Sequence, residues 1–235
     1  MKLKFQTQNR DIHKLRENFP TAAPKNNWWV LILPLLYFSI YLSGLLLHNL
    51  SIFYISYLFM AILLIPIFIY IVHEGVHGNV FRSRKANRNI LYIFDIIGAN
   101  SYIFHKRHMQ LHHNYCNIVG WDSDIEQSGP LRLHKFGRLS KMHRYQHIYA
   151  LFLYPLYVGN WMLIRDFKDF FMNPEHMKNL GIKIPSSEKV KLIFFKIVTV
   201  GYLIILPSII YGFWHAIIGF AIFTISASLF ALLVL

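Results

Sequence analysis

Apolar residues in this chain gather into long unbroken runs, and the stretches between them are rich in cations and histidine. Residues 28–47 are uncharged over about the twenty positions a helix needs to cross a bilayer. Trp28 and Trp29 stand at the start of this run, where indole favours the membrane interface. A second run, 50–72, follows after His48 and Asn49 alone, so the two predict a helical hairpin. Residues 197–211 and 213–235 predict another. Two further apolar stretches suit crossing less well. Residues 90–104 are short and contain Asp95, while 148–164 are uncharged but include Pro155, Gly159 and Trp161.

The cations decide between topologies. If 90–104 and 148–164 stay on one side, all 24 Lys and Arg lie on a single face of the membrane. Sending 148–164 across would strand Arg165, Lys168, Lys178, Lys183, Lys189, Lys191 and Lys196 on the far side, against the tendency of cations to remain cytoplasmic. The expected fold is an all-α integral membrane protein with four transmembrane helices in two hairpins and both termini cytoplasmic. Residues 1–27 form a polar N-terminal segment lacking the features of a signal peptide. Residues 73–196 form a helical cytoplasmic cap. With no internal repeat or low-complexity linker, 1–235 reads as one domain. Leu235 falls inside an apolar run, so the chain is expected to continue past it, with the next residues emerging on the cytoplasmic face.

Composition agrees. The chain is 55% hydrophobic with a mean hydropathy of +0.37, which excludes an ordinary soluble protein. A net charge of +13 could mark a nucleic-acid binder, but the cations flank apolar spans, so they read as a topology signal and no nucleic-acid partner is expected. The richness in Ile, Lys, Asn, Phe and Tyr suggests an A·T-rich bacterial genome and hence a bacterial inner membrane. Cys116 is the sole cysteine, so no intrachain disulfide forms, and it reads as an inert buried thiol.

Chemistry concentrates after the second run. His73-Glu74-Gly75-Val76-His77 is followed by His108-Met109-Gln110-Leu111-His112-His113. On an α-helix residues four apart share a face, so His73 pairs with His77 and His108 with His112, while His113 points elsewhere and could serve a different centre. Five histidines at these spacings point to a transition metal. The first group also fits H-E-x-x-H, the zinc-protease pattern. That reading leaves the second group without a role and finds no third-ligand motif of the Asn-Pro-Asp-Gly kind.

Taken together, the two boxes, the segment Asn117 to Asp124, the segment Met142 to Tyr149, and Asn160-Trp161 leading into Arg165-Asp166-Phe167 resemble the membrane fatty acid desaturase family. Within it they resemble the acyl-CoA and acyl-lipid desaturases similar to linoleoyl-CoA desaturase. The resemblance implies a centre of two non-haem irons with His73, His77, His108, His112 and His113 as ligands. It also implies O₂ as co-substrate and electrons from a cytochrome b5 or ferredoxin-type protein at the cytoplasmic face. The substrate would be a fatty acyl chain from the bilayer. The family carries a third box, H-x-x-H-H or Q-x-x-H-H, beyond the fourth span, and Leu235 precedes that position. Five imidazoles do not fill the coordination of two irons, so an active centre is expected to need further ligands. A related di-iron hydroxylase would share the boxes, and an inactive fragment or degenerate copy is the non-catalytic alternative.

Around the ligands, Glu74, Asp122 and Asp124 are candidates to orient imidazoles through hydrogen bonds, as are His143 and His147. His105 reads as interfacial, and His13, His48, His134, His176 and His215 as structural or surface residues. Arg82, Arg84, Lys85, Arg88, Lys106 and Arg107 would face lipid headgroups or a CoA phosphate.

Overall fold

The computed structural model describes residues 26–125, 130–172, 174–179, 181 and 183–234. Nearly all of the expected N-terminal segment, including His13, lies outside them. No strand occurs among the described residues. The helices are α1 (Trp28–Leu46), α2 (Leu50–Val76), α3 (Arg84–Ile90), α4 (Tyr92–Ile97), α5 (Ser101–His105), α6 (Gln146–Leu153), α7 (Asp166–Phe171), α8 (Glu175–Asn179), α9 (Ser186–Tyr211) and α10 (Phe213–Val234). Of these α1, α2, α9 and α10 are long and apolar enough to cross a membrane, which makes this an all-α integral membrane protein.

Asn49 starts α2 by accepting from the backbone N–H groups of Ser51 and Ile52 at 2.9 and 3.1 Å. Close helix approach then rests on small residues. Gly44 of α1 faces the Ser56 side chain of α2, and Gly219 of α10 lies against the Phe53 ring, where an added Cβ would stand 2.8 Å from the ring. In lipid every backbone polar group needs an internal partner. A π-helical turn at Gly201–Ile205 loosens the ladder of α9, and hydroxyls from other spans fill in. Tyr41 donates to the Tyr202 carbonyl and Tyr57 to the Leu203 carbonyl at 2.8 Å.

The apolar stretch 197–211 is the later part of a helix that begins at Ser186, after Pro185. Helix continuity does not depend on hydropathy. Lys189 and Lys191 sit on the surface of the first turns, whereas Lys196 is folded inward. Its ammonium donates to Asp166 Oδ2 at 2.8 Å, to the Gly98 carbonyl at 2.6 Å and to the Met162 carbonyl. This one side chain ties α9 to α7 and to the end of α4.

The stretch 90–104 is broken rather than continuous. Gly98 ends α4 at φ +112°, and an added Cβ there would strike the Met162 side chain. Asn100 caps α5 by accepting from Ile103 N at 2.9 Å. Asp95 accepts from Ser101 N at 3.0 Å and from Ser101 Oγ at 2.6 Å. The stretch 148–164 is also interrupted: α6 gives way to a tight turn at Tyr154–Leu156 around Pro155, and a π turn fills Trp161–Arg165. It lies against the fourth apolar helix, where Val158 N–H donates to Ser228 Oγ at 2.9 Å.

Candidate metal centre

His73 closes a π-helical turn, Phe68–His73, within α2, and His108 and His112 lie on a second, Lys106–His112, after α5. Such turns place i and i+5 on one face, and they recur at functional sites. His73 pairs with His77 as expected, but in the second group the pairing differs from α-helical expectation. His113 lies over His108, ring centroids 4.4 Å apart, while His112 is 6.0 Å away. His113 also meets His77 at 4.9 Å, and His73 stands 4.8 Å from both His77 and His108. All five imidazoles form one cluster.

The reactive nitrogens converge. His108 Nε2 is 3.2 Å from His77 Nε2 and 3.0 Å from His113 Nε2. Two nitrogens each about 2.1 Å from one ion stand about 3.0–3.4 Å apart, so these pairs have the spacing of ligands sharing an ion. One nitrogen from each of His73, His77 and His108 falls within a 4.8 Å group. Burial, followed by the neighbouring imidazoles His113, His73, His77 and His112, pushes His108 down to about 3. His77 is lowered by burial and by His73 and His113. His108 and His77 are thus held as neutral imidazoles, the form that binds metal. The donor set fits a transition-metal centre.

Carboxylates bind the outer nitrogens. His112 Nδ1 lies 3.2 and 3.3 Å from the two Asp122 oxygens and 3.3 Å from Asp124 Oδ2. Those acceptors put the ring proton on Nδ1 and leave Nε2 for a metal. Asp122 is buried, which alone would raise its pKa. The backbone N–H groups of Asn117 and Asp124, together with His112, outweigh burial and lower it, so it stays ionised. Glu74 Oε1 lies 3.2 Å from His73 Nδ1, and its other oxygen accepts from Asn79. His143 and His147 line a separate surface hollow with Arg132, Lys141 and Arg144. There His143 Nδ1 accepts from Ser140 N.

Three placements were not foreseen. Arg107 is no part of an exposed basic face. It is 3% exposed, bonded to Asp169 at 3.2 Å, paired with Asp124 at 3.5 Å and set over the Trp161 ring. A cation between histidines reads as surface until the fold supplies two acids distant in sequence. Arg165 reaches the same Asp124 at 3.9 Å and the same ring. Cys116 is exposed rather than buried, and its sulfur lies within 4.8 Å of ligand atoms of His112 and Asp122. Only its nearness in sequence to His112 hinted at this.

The cluster opens on an apolar cavity of about 380 Å³. Its wall takes His73, His108, His112, Arg107 and Asp124, then Phe68, Phe94, Phe104, Trp161 and Met162. Leu64 and Ile65 of α2 and Ala231 of α10 carry the lining into the apolar helices. Phe104 stacks on His108 at 5.1 Å. A greasy ligand could reach the imidazoles without crossing water.

Comparison with known sequences bears on what such a site serves. The sequence profile of the fatty acid desaturase family matches residues 53–235. The chain belongs to that family. It is similar to an sn-1 linoleoyl-lipid 6-desaturase of Arthrospira platensis, 31% identical over 168 residues, covering 70% of this chain and 45% of that protein. The protein of the same name from Synechocystis sp. is 28% identical, covering 57% of this chain and 37% of the relative. An acyl-lipid (8-3)-desaturase of Physcomitrium patens is 28% identical, covering 60% and 30%. The chain thus spans less than half the length of these relatives. No solved structure matches.

Proposed function

We propose that this chain carries the first two histidine boxes of an acyl-lipid desaturase, which introduces a double bond into a fatty acyl chain with reduction of O₂ to water. The observation that supports it most is the cluster of five imidazoles, three of which, His73, His108 and His112, line an apolar cavity that continues between apolar helices. An unactivated methylene cannot be deprotonated by any side chain, so the chemistry belongs to a metal. Two non-haem irons with O₂ would supply the oxidising power.

The protein's part is binding, orientation and exclusion of water. His73, His77, His108, His112 and His113 would hold metal. Asp122 and Asp124 fix the His112 ring, and Glu74 fixes His73. Phe104, Trp161 and Met162 would seat the methylenes in a dry channel. The arrangement we favour is two helical hairpins in a bacterial inner membrane, the boxes and both termini cytoplasmic, and the cap over the site as one domain. Electrons would arrive there from a cytochrome b5 or ferredoxin-type protein.

The test is expression of the gene, as the cell encodes it, in a bacterium fed linoleate, with mass spectrometry of membrane lipids. The reading expects acyl chains lighter by two hydrogens, absent in H108A. Chains heavier by one oxygen atom would assign a hydroxylase instead. Unchanged lipids with a cleaved membrane peptide would revive the H-E-x-x-H protease.

A further inference from the structure

The segment leading into α6 has a pattern that the metal centre does not use. A cation stands at every third position from Lys135 through Arg138 and Lys141 to Arg144. Each is followed by a large apolar residue, Phe136, Leu139, Met142 and Tyr145. All four apolar side chains are exposed, Phe136 and Leu139 by 74% and 71%. No Asp or Glu occurs from 127 to 165, so no acid within the stretch itself balances the cations.

The segment is built, not loose. The Gln146 side chain of α6 clasps the Arg132 backbone on both sides, accepting from its N–H at 2.8 Å and donating to its carbonyl at 3.2 Å. Tyr149 donates to the Pro130 carbonyl at 2.7 Å. The exposed apolar surface then continues onto α6 through Ile148, Leu151 and Phe152. Beyond the Pro155 turn, Val158 is bonded to Ser228 of the fourth apolar helix. The cationic apolar surface is therefore continuous with the membrane-crossing body.

We infer that residues 135–152 form an interfacial element that binds the anionic surface of the bilayer, with Phe136 and Leu139 inserted and the cations among the headgroup phosphates. Interleaved cations and bulky apolar side chains suit an anionic lipid surface. The continuity of this surface with the apolar helices favours the bilayer over an acidic protein partner.

The test places one fluorophore at L139C in a C116S background and reconstitutes the protein in nanodiscs. Discs of phosphatidylcholine alone are compared with discs containing phosphatidylglycerol, each doped with shallow spin-labelled lipid as quencher. The expected result is quenching about fivefold or more stronger in the anionic discs. It should be lost in K135E/R138E/K141E/R144E and weakened in F136S, which keeps every charge. The comparison of lipids in the unmutated segment stands even if the fourfold variant fails to fold. A label equally open to aqueous iodide in both discs would overturn the inference. So would a label shielded only on adding an acidic ferredoxin.

Discussion

Asp122 illustrates how much a single residue does at this centre. It is 1% exposed, takes N–H bonds from Asn117 and Asp124, and faces His112 Nδ1. D122N is expected to leave the fold intact and weaken metal binding about 10- to 100-fold, read by competition with a chelator. Asp95 makes a different point. Burial chiefly, with Ser101 opposing and Asp166 and Glu188 adding, pushes its carboxyl up to about 6. The folded state therefore holds that proton more tightly than the unfolded one, and stability falls as pH rises from about 4 to about 6, then levels. Thermal unfolding of D95N should lack that slope and lie above the parent by about 1–3 kcal/mol at neutral pH. Of the residues in the cluster and around it, the five histidines and Asp122 were legible because spacing and motif flag them. Arg107 was not, because its partners Asp124 and Asp169 are brought to it only by the fold.

Among elements, hydropathy located the membrane runs but not the helix that carries the third. α9 begins at Ser186, and Lys196 turns inward because Asp166 and two carbonyls wait there. Composition offers no sign of such a buried pair. Breaking it should be costly: K196M leaves Asp166 buried and alone, an expected loss of about 3–5 kcal/mol. The double variant K196M/D166L should recover more than half of that, measured by thermal unfolding in detergent. The π turns were equally hidden. The i, i+4 spacing of His108 and His112 suggested one face, whereas the π turn brings His108 and His113 together at 3.0 Å. A local backbone choice decides which imidazoles can share an ion.

At the scale of the molecule, apolar helices and a polar cap divide the work. Tyr41 and Tyr57 lock the membrane-crossing body through hydrogen bonds to the π turn of α9. Three of the five clustered imidazoles, His73, His108 and His112, line a cavity whose remaining wall is mostly hydrocarbon and aromatic. We propose that this cluster is an iron site. The most direct measurement is elemental analysis, with Mössbauer spectra, of protein purified from cells grown on ⁵⁷Fe. Bound iron with high-spin, nitrogen-rich parameters is expected, lost in H77A and H108A but kept in H143A. One tightly held zinc per chain with no iron, or a metal content that H108A leaves unchanged, would contradict it.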